Sequence, residues 1–166
     1  MRDIEWTLSQ GIQAKKRTKS AYLRLKDLEQ DTTLKAVSYD RIGSSSSSTS
    51  SPVEKQVLLI MDARHDLDQA VCRQIDAAAA VTDLICLLDD PEEIDLLIKL
   101  FLRGQSTRLA ADHLRISYKT LLNRKANALD HLEELVKTNE YAAQLAETLK
   151  NINNNIESGS RNHGTR

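Results

Sequence analysis

The stretch "STRLAADHLRISYKTLLNRKANALDHL", Ser106 to Leu132, decides the fold. Ser106 can cap a helix, and Ala111 and Leu114 follow at inward-facing helical positions. Arg115-Ile116-Ser117 then interrupts the pattern. Ser117 can cap again, and Leu121, Ala128 and Leu132 resume one apolar face. The spacing predicts a helix, a three-residue turn plugged by Ile116, and a second helix. DNA-binding proteins use this arrangement to send the second helix into the major groove, N-terminal residues first. Its outward face would carry Tyr118, Lys119, Thr120, Asn123, Arg124 and Asn127. Arg fits guanine O6/N7 and Asn fits adenine N6/N7, so these six are the candidate base-reading residues. Ser106, Thr107, Arg108, Arg115, Ser117 and Lys125 flank them as candidate phosphate contacts, supplying cations, hydroxyls and helix-start N–H groups. Tyr118 fits a core position equally well, and Asn123 and Asn127 also suit a plain solvated face.

Charge is distributed to match. The 166-residue chain has a net charge of only −1. Residues 53–98 nevertheless hold three Lys/Arg against eleven Asp/Glu, whereas residues 99–131 hold seven against two. A basic segment attracts phosphate whatever the total charge, and an acidic neighbour helps decide which face docks.

Outward from this stretch the composition is that of helices: Leu, Ala, Lys, Glu, Asp and Arg dominate, with five Gly, two Pro and 4% aromatic residues. Residues 1–42 read as a long N-terminal helix, with Ile4, Leu8 and Ile12 and then Tyr22, Leu25 and Leu28 on one stripe. "KKRTK", Lys15 to Lys19, interrupts that stripe as a solvated turn or an accessory phosphate contact. Residues 43–52, "GSSSSSTSSP", form a flexible linker. Residues 53–88 read as a second long helix, with Val57, Met61, Leu67, Val71, Ile75, Ala78 and Ile85 on its apolar stripe. So narrow a helix needs a partner, either the first helix in an antiparallel hairpin or another chain in a coiled coil. The Ala77–Ala80 run would admit a close partner. In "DDPEE", Asp90 caps and Pro91 opens a short helix that Gly104 stops. The helix-turn-helix module is assigned to 90–138, a C-terminal helix to 139–153 and a disordered tail to 154–166. Cys72 and Cys86 are expected as buried free thiols.

Residues 104–132 resemble region four of the sigma-seventy factors. They are closer still to small phage-borne regulators of Gram-positive bacteria, the ArpU- and RinA-type late-gene activators and a related phage family of unknown function. The shared positions are Gly104, Ser106, Ala111, Leu114, Ile116, Ser117, Leu121, Ala128 and Leu132. The upstream layout of "EW", long helix, serine-rich gap and second long helix is similar too. Where the resembled pattern has Gly in the turn, this chain has Arg115, which costs on the order of 1 kcal/mol if the backbone is left-handed. Ala110 stands for a usual Ile, and Lys125 for a frequent apolar residue.

The resemblance implies an all-α protein in which a long antiparallel hairpin or coiled coil precedes a sigma-like helix-turn-helix bundle. Its implied role is a sequence-specific DNA-binding transcriptional regulator, a phage or prophage late-gene activator. The partners would be double-stranded DNA, bacterial RNA polymerase and a second copy held through the long helices. A small-terminase-like packaging component and a coiled-coil adaptor without DNA binding are the competing readings. No phosphate-cradling Gly loop, metal-ligand cluster or nucleophile elbow is present, so neither an enzyme nor a cofactor or metal site is expected. His65, His113, His131 and His163 are scattered, and Asp89, Asp90, Glu92 and Glu93 suit a helix start. No apolar run is long enough to span a bilayer, and the expected location is the bacterial cytoplasm, at the nucleoid.

Overall fold

The computed structural model describes residues 3–36 and 52–159. The protein is all-α: α1 (Asp3–Ala36), α2 (Pro52–Ile85), α3 (Pro91–Leu97), α4 (Thr107–Leu114), α5 (Tyr118–Thr138) and α6 (Glu140–Gly159), with no strand among the described residues. Most of the serine-rich linker, residues 43–51, and the end of the expected tail, 160–166, lie outside the described residues. Met1–Lys15 and Arg73–Arg166 form one compact unit, and Lys16–Cys72 forms another.

In the first unit α3 begins as its sequence dictates. The Asp90 carboxylate accepts the Glu92 N–H at 2.8 Å, Pro91 takes the first turn, and Glu92 and Glu93 face the positive helix end. The helix then widens into a π-turn, Ile98–Leu102, closed by the Arg103 N–H on the Ile98 carbonyl at 3.0 Å. A π-turn slips one extra residue into the helical repeat. Leu96, Leu97, Leu100 and Phe101 are all buried. Gly104 leaves the helix at φ 68°, a left-handed backbone that glycine adopts without cost.

Around this segment the core gathers Ile4 and Leu8 of α1, Val81, Leu84 and Ile85 of α2, Leu121, Ala128 and Leu132 of α5, and Ala142 and Leu149 of α6. Ala77 and Ala80 are buried, and a Cβ on Gly11 would meet Val81 Cγ2 at 3.3 Å, so α1 and α2 approach closely here. Every buried side-chain polar atom among the described residues has a partner: Thr7 donates to the Asp3 carbonyl and Gln10 to the Trp6 carbonyl.

In the second unit, Thr18 donates to the Ala70 carbonyl at 3.0 Å, Arg24 pairs with Asp66 at 3.3 Å and Arg64 with Glu29 at 2.9 Å. Partner numbers fall along α2 as they rise along α1, the order of an antiparallel pair. Lys16, Arg17 and Lys19 are exposed.

Several expectations need correction. The seven-residue α2 stripe divides: Ile85 is buried and Leu67 and Ala78 are half-buried, but Val57, Met61, Val71 and Ile75 are exposed. The covered arc of α2 runs instead through Ala63, Ala77, Val81 and Leu84, with Leu88 buried just past the helix end. Cys72 and Cys86 are exposed, because Cys72 falls on the outward arc and Cys86 just past the helix end. That end comes at Ile85, not 88, where the Leu87 and Leu88 N–H groups take tighter bonds to the Leu84 and Ile85 carbonyls. At the other extreme α6 runs to Gly159, through residues 154–159 that were assigned to a disordered tail. The spacing Leu145, Leu149, Ile152, Ile156 accounts for the extension.

The tight crossing makes Gly11→Leu a direct probe. Overpacking against Val81 is expected to cost about 1–3 kcal/mol, read from the midpoint of chemical denaturation.

Candidate nucleic-acid interface

The connection between α4 and α5 is a closed hydrogen-bonded motif. Ser106 caps α4, its hydroxyl accepting the Leu109 N–H at 3.3 Å. At the other end the Arg115 N–H donates to the Asp112 carbonyl at 3.2 Å and the Ile116 N–H to the Ala111 carbonyl at 3.1 Å. This pair of bonds is a Schellman closure, which requires a left-handed residue at the position Arg115 occupies. Arg115 adopts φ 53°, ψ 38°, the one non-glycine positive φ among the described residues. Ile116 packs against the core as the apolar partner of the motif. The fully buried Ala110 lets α4 lie close to its neighbours. Ser117 then caps α5, accepting the Thr120 N–H at 3.0 Å and sharing a 2.7 Å hydrogen bond with the Thr120 hydroxyl.

The buried face of α5 is Leu121, Ala128, Leu129 and Leu132. Lys119, Asn123 and Asn127 recur every four residues on the opposite face, all exposed, with Thr120 beside them. Tyr118 is 51% exposed, so it is not a core residue. Arg124 is exposed at the edge of this face and pairs with Glu92 at the start of α3. Lys125 is different: half-buried, it pairs with Glu5 of α1 and lies 5.7 Å from the Phe101 ring centroid. Its ammonium fastens α5 to its neighbours and is not offered outward with the other candidates. Ser106 and Ser117 spend hydroxyl lone pairs on the caps, and Thr107 is half-buried.

The cations of residues 99–131 are thus sorted by partner. Lys99 pairs with Asp95, Arg124 with Glu92 and Lys125 with Glu5. Arg103, Arg108, Arg115 and Lys119 are exposed and have no ion-pair partner among the described residues. Arg115 and Lys119 flank the start of α5, and Arg108 lies on α4 with the exposed Asp112 one turn on. Two features escaped the sequence. The acids that tie down Arg124 and Lys125 lie 32 and 120 residues away, and Leu109 and Leu122 are 44% and 41% exposed.

Below this face His131 Nδ1 and Glu93 Oε2 are 2.9 Å apart. The Glu93 hydrogen bond and charge hold the imidazole above its ordinary 6.5. A folded imidazole that binds its proton more tightly than the unfolded one contributes stability that is complete below pH 6.5 and is lost as pH rises through the folded value. The ring is 57% exposed, so the effect is small. Thermal midpoints are expected to fall slightly on passing from about pH 6 to 8, and His131→Gln should remove that part of the slope.

Among the described residues no three His, Cys, Asp or Glu side chains form a metal-holding group, and no helix is long and apolar enough to cross a membrane. Comparison of the chain with protein families, with curated proteins and with solved structures finds no match.

Proposed function

We propose that this protein is a sequence-specific DNA-binding transcriptional regulator that lays the first half of α5 in the major groove. Lys119, Asn123 and Arg124 reach base edges, with Thr120, Asn127 and Tyr118 beside them. Arg108 and Arg115 grip the flanking phosphates. Lys125 has no part in the contact, because its charge is held by Glu5.

The backbone of Arg115 carries this reading. A left-handed arginine costs on the order of 1 kcal/mol where glycine would cost nothing, and strain of this kind collects at functional sites. What is retained at that cost is an exposed guanidinium at the apex of the turn, beside the start of α5. Arg108 and Lys119, exposed and without an ion-pair partner among the described residues, support the same reading, and so does the exposed polar face of α5. The Arg124–Glu92 pair does not count against it: both side chains are largely exposed, and such pairs contribute about 0–1 kcal/mol, so a guanine or phosphate can displace Glu92. With the sigma-region-four resemblance, the role that fits is a phage late-gene activator working in the bacterial cytoplasm on promoter DNA, in contact with RNA polymerase.

One observation favours a second reading. Leu109 on α4 and Tyr118 and Leu122 in the first turns of α5 expose apolar surface, which suits a protein-binding adaptor.

Duplex binding measured against salt separates the two. Association with a labelled random-sequence duplex is expected to weaken steeply with added salt, and Arg108→Ala should lower the log–log slope by about 0.9. Arg115→Gly should raise stability by about 0.5–1 kcal/mol while weakening DNA binding. Salt-independent or absent binding favours the adaptor. An Arg115→Gly variant that is more stable and binds equally well removes Arg115 from the contact.

A further inference from the structure

The second compact unit buries very little. Among its described hydrophobic side chains only Ala63 is fully covered, while Val53, Val57, Leu58, Leu59, Met61 and Val71 are between 39% and 60% exposed. Beyond Ala63 the pair half-buries Leu25, Leu28, Ile60 and Leu67, which makes two helices marginal on their own. Four of these six exposed side chains, Val53, Val57, Met61 and Val71, share one side of α2. On α2, Val53, Val57, Met61, Arg64, Asp68 and Val71 follow one another at intervals of four, four, three, four and three residues. That alternation keeps side chains on one seam of a helix that packs against another helix. It is a second seam, distinct from the covered arc through Ala63.

Its charges specify what fits it. Arg64 and Asp68 sit in the middle, with Met61 on one side and Val71 on the other. Two copies of this seam laid antiparallel, with the two-fold axis between residues 64 and 68, place Arg64 of each copy against Asp68 of the other. The same register sets Met61 against Val71. Both ends of the central segment are then apolar and the middle is doubly ion-paired, the self-complementarity that a symmetric dimer requires. A parallel in-register pair would instead stack Arg64 on Arg64 and Asp68 on Asp68, and like charges oppose association. The Arg64–Glu29 contact is exposed on both sides and leaves guanidinium N–H groups for a second carboxylate. The geometry points to an antiparallel homodimer formed through the 53–71 face of α2. This inference is independent of DNA binding by α5. It supplies the means by which two small recognition modules would act on one DNA molecule.

Sedimentation equilibrium on the full chain tests it. At tens of micromolar the wild type is expected at twice the 18.6 kDa chain mass. Arg64→Glu and Asp68→Arg each create a like-charge clash in the homodimer and should weaken self-association at least tenfold. An equimolar mixture restores both opposite-charge contacts, so it should dimerise within about threefold of the wild type. Circular dichroism follows helix content throughout. A monomeric wild type, its α2 face covered by the chain's own residues 37–51 or left bare, overturns the proposal. So do single variants that dimerise as the wild type does, and weakened single variants whose mixture does not recover.

Discussion

The left-handed backbone at Arg115 sets the direction of everything that follows it. Two hydrogen bonds, from the Arg115 and Ile116 N–H groups back to Asp112 and Ala111, close α4 and turn the chain. Those bonds exist only if one residue takes positive φ, and Arg115 takes it. Ile116 is thereby driven inward and Ser117 is placed to cap α5. The same turn that ends one helix thus aims the next. Relaxing it would cost the cap and the Ile116 packing together, which is how the surrounding structure holds an unfavourable conformation in place.

Electrostatic sorting completes the surface. Sequence alone shows seven cations concentrated in residues 99–131, but a helix carries charge on every side and most of it is usually solvated. Glu5, Glu92 and Asp95 take up three of the seven, and they do so on the inner side and edges of the α3–α5 assembly. Arg103, Arg108, Arg115 and Lys119 remain exposed. Of these pairs only Lys125–Glu5 is half-buried on both sides, so the inward cation of α5 is held by α1, while Glu92 and Asp95 pair with Arg124 and Lys99 nearer the surface.

Local chemistry was legible and long-range chemistry was not. Asp90, Ser106 and Ser117 were readable as caps because a cap needs only its own hydroxyl or carboxylate and an N–H two or three residues on. The turn at 115–117 was readable for the same reason. The inward turn of Lys125 was not, since Glu5 lies 120 residues away in the chain. Nor was the π-turn at 98–102, which leaves no mark in composition. The apolar residues of α2 were readable as helical, but Ile85 and Ile75 fit one stripe on paper and lie on different arcs in three dimensions. A long helix drifts relative to any short repeat, so periodicity alone does not say which of two seams is covered. Cys72 is exposed for the same reason: it lies beside Val71 on the outward arc.

DNA recognition by the outward face of α5 is the central claim, and selection from a randomised duplex pool tests it most directly. Lys119→Ala/Asn123→Ala is the cleanest control, because both side chains are exposed and neither has a partner among the described residues. The expected result is one enriched motif for the wild type that the double variant fails to enrich while keeping its fold. A wild type that enriches nothing, or a double variant that enriches the same motif equally well, contradicts recognition by this helix.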